Sequence, residues 1–283
     1  MLRLTIATLA ATAVAVATPV LTAPRTPLAA APDDPHAGHA LHDAAATAPT
    51  QQPDDRTLPA GATSAAARVQ SSPRHGEWVM VARPGTTDSL RAWVVYPERK
   101  DKAPVVVVIH EIFGVSTWIK GVADQLAAEG YIAIAPDLVT GMVPIAPGTD
   151  TIPAQAAVAA VRSLKPADVQ RDIRAVADYG MKLPAAQQKF GVVGFCWGGS
   201  TSFEVAVTAD PRLRGAVVYY GTSPRTDALT TITAPVLGLY GENDARVNTT
   251  IAPADSAMKA MKKPFTYTVF TGAGHGFLRQ QDG

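Results

Sequence analysis

Cysteine is almost absent: the chain has one in 283 residues, Cys196. A lone thiol excludes a disulfide within the chain and any metal or iron–sulfur centre built from several cysteines. Aromatic residues are sparse at 6%, and charged residues make up 17% with a net charge of +1. Such a balance excludes the broad basic field of a nucleic-acid binder and gives no global pull toward acidic ligands or membrane surfaces. No long run of one charge and no internal repeat is present, which argues against a charged tail or a solenoid. What remains is 47% apolar. That is the composition of a globular protein, with length for one large domain or two small ones.

The first residues read as a leader rather than as fold. Arg3 supplies a short positive region, Leu4 to Val16 is apolar or small, and small residues continue to Ala23. This predicts a secretory signal peptide over residues 1–31, cleaved after Ala23 or within Ala29–Ala31, and hence an exported protein, periplasmic or extracellular. The uncharged stretch Leu4–Pro24 could instead nearly span a bilayer as an anchor, but it is rich in Ala and Thr and carries Pro19. Residues 32–72 are dominated by Ala, Pro, Asp, Gln, Thr and Ser and show no sustained hydrophobic period. They cannot offset the entropy of ordering and are expected to form a disordered linker. His36, His39 and His42 sit in it; they could hold a metal weakly, but a solvated tail is the simpler reading.

From residue 73 the texture is that of a folded domain to 283. "EWVMVARP" and "SLRAWVVYP" read as two strands around a turn at Gly85–Asp88. "PVVVVIH", "YIAIAPDL", "KFGVVGF", "LRGAVVYYG", "APVLGLYG" and "FTYTVFTG" follow as strands, the first a continuous apolar run suited to burial on both faces. Helices are expected near Thr117–Glu129, from Pro166, from about Gly199 and over Pro253–Lys262. Alternating strand and helix predicts an α/β protein with a mostly parallel central sheet and helices on both faces. Ligands of such sheets sit at the carboxyl ends of the strands.

Chemically able residues fall at those ends. His110 and Glu111 follow one strand, Cys196 a second, Glu242 and Asp244 a third, and His275 a fourth. Gly194-Phe195-Cys196-Trp197-Gly198 fits the G-x-S-x-G pattern with sulfur in place of oxygen: a strand turning sharply into a helix, with the nucleophile at the strained tip. The helix N-terminus favours thiolate, and the Trp197 N–H is free to hold an oxyanion. The order Cys196, Asp244, His275 is nucleophile, acid, histidine. His275 would exchange the proton and Asp244 would fix its tautomer, with Glu242 the competing acid. Cys196 could also be a small core residue, and His110 a structural loop histidine.

These residues bring a family likeness with them. "HEIFG" (His110–Gly114), "APDL" (Ala135–Leu138), "GFCWGG" (Gly194–Gly199), "YYG" (Tyr219–Gly221), "GENDARV" (Gly241–Val247) and "GAGHGF" (Gly272–Phe277) together resemble the dienelactone hydrolase family. The likeness runs from about Gly76 to the end. It implies an α/β-hydrolase fold and hydrolysis of a small ester or lactone without metal or organic cofactor. It implies catalysis by Cys196, His275 and Asp244, with Glu111 beside the resting thiol, and oxyanion N–H groups from Ile112 and Trp197. It also implies substrate contacts from Arg279 and Tyr220. Two departures stand out. Where a second substrate-gripping arginine would fall stands Gly141, which separates the substrate from the reaction class. Only eight residues follow His275, so the family's final helix is expected to be missing and an apolar face left bare. No nucleic acid and no lasting membrane insertion are expected, and the oligomeric state is not legible. Two other functions share the pattern: the same triad acting on another acyl bond such as a thioester, or a ligand-binding member of the fold without catalysis.

Overall fold

The structure is a computed structural model that describes residues 59–281. The expected leader, and the expected linker as far as residue 58 with its three histidines, lie outside the described residues.

Eight strands form one sheet in the order β1-β2-β4-β3-β5-β6-β7-β8. They are β1 (Gly76–Ala82), β2 (Ser89–Val95), β3 (Ala103–Ile109), β4 (Ile132–Pro136), β5 (Ala186–Phe195), β6 (Leu213–Tyr219), β7 (Val236–Asn243) and β8 (Phe265–Gly274). The first two pair antiparallel, and β2 meets β4 antiparallel. Every other pairing is parallel. The helices are α1 (Ala65–Gln70), α2 (Thr117–Ala128), α3 (Ala154–Arg162), α4 (Pro166–Lys182), α5 (Trp197–Val207), α6 (Ala245–Asn248) and α7 (Ile251–Ala260). All eight expected strands are present, and the four expected helices lie within two residues of where the pattern starts them. Among the described residues no helix is long and apolar enough to cross a membrane.

The two-residue period of the strands divides the core. Val105, Val107 and Ile109 face one way, into a cluster with Ile173 and Val176 of α4, Phe203 of α5 and Met258 of α7. Val106 and Val108 face the other way, toward Trp118, Ile119 and Val122 of α2 and Val161 of α3. The all-apolar run in β3 is thus a strand clothed on both sides, as its composition predicts.

The expectation of a disordered linker up to residue 72 is corrected for its last part. Residues 59–61 and Ala65 are buried, and α1 lies on α2. Trp118 donates its indole N–H to the Ala60 carbonyl at 3.0 Å. Gly121 of α2 faces the alanines, where a Cβ would make only ordinary contact, 3.6 Å from the Ala65 Cβ. A low-hydrophobicity stretch is ordered here by close approach of small residues rather than by large apolar side chains. This segment also meets the end of the described chain: Ala62 N–H donates to the Arg279 carbonyl at 2.8 Å, and Leu278 is buried. After β8, residues 275–281 run through turns. An apolar groove remains on the α2 side of the sheet, lined by Val106, Val193, Val217, Leu126 and Leu278, and none of the expected catalytic side chains lines it. The far edge is barer still, with Tyr267 and Val269 of β8 exposed.

Candidate active site

The strand β5 ends at Phe195 and α5 begins at Trp197, so Cys196 is the whole turn. Its φ of 56° lies in the left-handed region, a strained setting for a residue with a side chain. The turn closes only because two neighbours have no Cβ. One on Gly194 would come 1.8 Å from the Gly198 carbonyl oxygen, and one on Gly198 would come 2.4 Å from the carbonyl oxygens of Ile109 and His110. The Cys196 N–H is tied to the Tyr219 carbonyl at 3.0 Å, fixing the elbow to β6. Ser200, one turn into α5, accepts the Thr222 N–H at 2.8 Å and its hydroxyl meets the Thr222 hydroxyl at 2.9 Å. Sequence reasoning missed this clamp, because a serine four positions after the nucleophile looks like any helix residue.

His275 arrives from the turn after β8, and Asp244 from the end of β7. The imidazole Nδ1 lies 2.6 Å from Asp244 Oδ2, and the ring also engages the Cys196 sulfur. Burial works against a charged imidazole. The hydrogen bond that His275 donates to Asp244 and the interactions with Cys196 outweigh it and raise the His275 pKa to about 9. The competing acid, Glu242, is exposed and accepts the Gly272 N–H at 2.8 Å, so it shapes the loop instead.

Glu111 is buried at the end of the strand-β3 turn. Burial raises its pKa to about 7, opposed by the positive charges of Arg279 and His275 and by Tyr220. Arg279 Nε stands 2.9 Å from Glu111 Oε2, and its guanidinium lies 5.3 Å from the Phe113 ring centroid. Arg279 is therefore paired with Glu111 and packed on Phe113. Its side chain keeps 30% of its surface exposed, which leaves the substrate contact expected of it open to solvent.

Tyr220, of which a substrate contact is expected, is fully buried. Its ring lies 5.1 Å from the His275 ring and 5.3 Å from that of Phe277, edge to face in both cases. The expected oxyanion donors are Ile112, in the turn after β3, and Trp197, at the first position of α5. Neither N–H appears in a backbone hydrogen bond among the described residues. His110 proves structural: it is fully buried, its Nε2 accepts the Leu138 N–H at 3.4 Å, and burial lowers its pKa.

The chain is similar to known proteins over most of the described region. The family profile that matches is the dienelactone hydrolase family, over residues 90–283. A Salmonella typhimurium protein named "Putative carboxymethylenebutenolidase" is 32% identical over 206 residues, covering 69% of this chain and 75% of that one. A Mus musculus "Carboxymethylenebutenolidase homolog" is 30% identical over 194 residues, covering 64% and 73%. Among solved structures, "Putative Dienelactone Hydrolase" from Klebsiella pneumoniae superposes with a TM-score of 0.62 at 29% identity, covering 72% of this chain and 88% of that one. A Pyrobaculum calidifontis esterase, 20% identical with a TM-score of 0.55 and covering 77% and 83%, shares the fold.

Proposed function

The chain belongs to the dienelactone hydrolase family, and on that premise we propose that it is an exported hydrolase of carboxylic esters or lactones working through Cys196, His275 and Asp244. The observation that carries the triad is the contact chain from Asp244 through His275 to the Cys196 sulfur at the tip of a strained elbow.

Each step follows from that arrangement. The thiol proton passes to the imidazole, which Asp244 favours in its charged form. The Cys196 thiolate adds to the carbonyl carbon, and the carbonyl π pair moves onto oxygen, where the N–H groups of Ile112 and Trp197 receive it. As that pair returns, the C–O bond to the leaving group breaks and His275 gives it the proton. Water then attacks the thioester, His275 takes its proton, and the acid leaves as the thiolate is restored.

Glu111 tunes the first step. With a pKa of about 7 it sits between its two forms near neutrality and is able to accept a proton from the thiol. A substrate anion that draws Arg279 away would remove a charge that holds this pKa down, and Glu111 would become the better base. The export reading rests on the N-terminal leader pattern.

The test compares the full chain with Cys196→Ala on a dienelactone, a simple aryl ester and an acyl thioester. Wild-type turnover that the variant lacks is the expected result, and the ratio among substrates ranks the acyl bond. Equal inertness of the two proteins would sink the hydrolase reading in favour of a binding protein. Export is tested by cell fractionation and N-terminal sequencing of the mature protein; an intact Met1 in the cytoplasm would overturn it.

A further inference from the structure

A second polar cluster lies outside the catalytic residues and is absorbed by nothing above. Trp78 of β1 and Trp93 of β2 face each other in register, rings 5.5 Å apart and edge to face. Lys120 of α2 is buried and inserts beside both, its Nζ 4.4 Å from the Trp93 ring centroid and 5.0 Å from that of Trp78. Arg91 of β2 lies over Trp78, its Cζ 4.1 Å from the ring centroid. Two cations against two indoles form a cage, and cations so desolvated need a carboxylate.

The carboxylate comes from the segment after β4. Asp150 pairs with Lys120 Nζ, and its Oδ2 accepts the Trp78 indole N–H at 2.9 Å. Its carbonyl accepts from Arg91 Nη1 at 3.0 Å. Arg91 is itself held by Asp137, 2.7 Å away, at the end of β4. Residues 137–150 thus leave the sheet and are fastened back onto it at both ends.

Two residues past the fastening, Ile152 is buried against the turn after β3. A Cβ on Gly114 would meet Ile152 Cδ1 at 2.9 Å, so the isoleucine fills the space that glycine leaves. Gly114 has a φ of +70° and ends the turn that contains Glu111, Ile112 and Phe113. Ile112, Val139, Ile152 and Cys196 belong to one packed cluster.

We propose that Asp150 is a positioning residue of this hydrolase: it latches the segment after β4 into the Trp78–Trp93–Lys120–Arg91 cage and, through Ile152 on Gly114, holds the turn that presents Glu111 and the Ile112 N–H to the site. This rests on the hydrolase reading above. The segment it fastens leaves Met142 and Ile145 exposed. The latch therefore fixes a strap whose outer face is free while its inner end carries the alignment.

A double-mutant cycle in the full chain tests this. Asp150→Ala and Ile152→Ala should each lower kcat on a small aryl ester by about tenfold, the scale of a sub-ångström misplacement, with KM changed less than twofold. The double variant should lose no more than the worse single one, because both act along one path. Asp150→Asn keeps an acceptor for Trp78 but loses the ion pair, and should fall between. Hydrogen exchange over residues 110–116 should quicken in both single variants, and tryptophan emission should shift in Asp150→Ala and in Lys120→Met. A kcat within twofold of wild type in Asp150→Ala, or multiplying losses in the double variant, would overturn the latch. Should wild type turn over no acyl substrate, the hydrolase reading falls; the exchange and emission measurements still decide whether Asp150 holds the turn, and unchanged exchange over 110–116 refutes it.

Discussion

Replacing Asp244 with asparagine keeps the shape of the site and removes one charge. Asp244 is buried and lies 2.6 Å from His275 Nδ1. The imidazole pKa stands at about 9 against the ordinary 6.5, a preference for imidazolium of roughly 3 kcal/mol. Because the folded value is raised, the stabilisation is fully present below about pH 6.5, declines by about 1.4 kcal/mol per pH unit above that, and is gone once pH passes about 9. Asp244→Asn removes the largest single source of that preference, leaving the share from Cys196. Denaturant unfolding from pH 6 to 10 should therefore show the wild type ahead by up to about 3 kcal/mol at pH 6, with the two curves converging toward pH 9 to 10. If the same preference supports the thiolate–imidazolium pair at the transition state, kcat/KM at pH 7.5 should fall by about 100-fold. Parallel stability curves, together with activity within threefold of wild type, would refute the assignment of Asp244 as the residue that charges His275.

Glu111 has the opposite character, since its raised pKa marks a cost of burying the carboxylate. Wild-type stability should drop by roughly 3 kcal/mol as pH rises from about 4.5 to 7 on account of this one group, and Glu111→Gln should lack that drop while hydrolysing more slowly; a variant that loses stability in step with wild type would count against it. Arg279→Met removes a positive charge that holds the Glu111 pKa down, so the acid limb of the pH–rate profile should move above pH 7, and a downward move would show that Arg279 acts elsewhere. Gly198→Ala places a Cβ 2.4 Å from two carbonyl oxygens. It should lower the melting temperature by about 10 °C, an overpacking cost of about 3 kcal/mol in a domain of this size, and abolish turnover; full activity with an unchanged melt would mean the elbow is more yielding than its contacts indicate.

How much of this was legible depends on whether a feature is local. The strands were readable because β3 and β4 are unbroken apolar runs and because an apolar run followed by Gly194-x-Cys196-x-Gly198 fits few folds. Local pattern also placed Asp244 and His275, since each follows its own strand. Short-range pattern could not show α1, whose buried Ala65 packs on α2, some fifty residues away in sequence. Nor could it show α3, a nine-residue helix rich in alanine with few large apolar residues to mark a period. Tyr220 shows a related limit: its neighbours in sequence put it at a strand end beside the site, but not that its side chain is fully buried with its ring 5.1 Å from that of His275. The same limit hid the cage: Trp78, Arg91, Trp93, Lys120 and Asp150 sit on four separate segments, and none has a distinctive neighbour in the chain. Nucleophile, acid and base are each announced by the turn that carries them. The residues that hold those turns in place come from wherever the sheet order brings a partner, and only the register of β1 on β2 and of β2 on β4 puts two tryptophans, two cations and one aspartate around a single point.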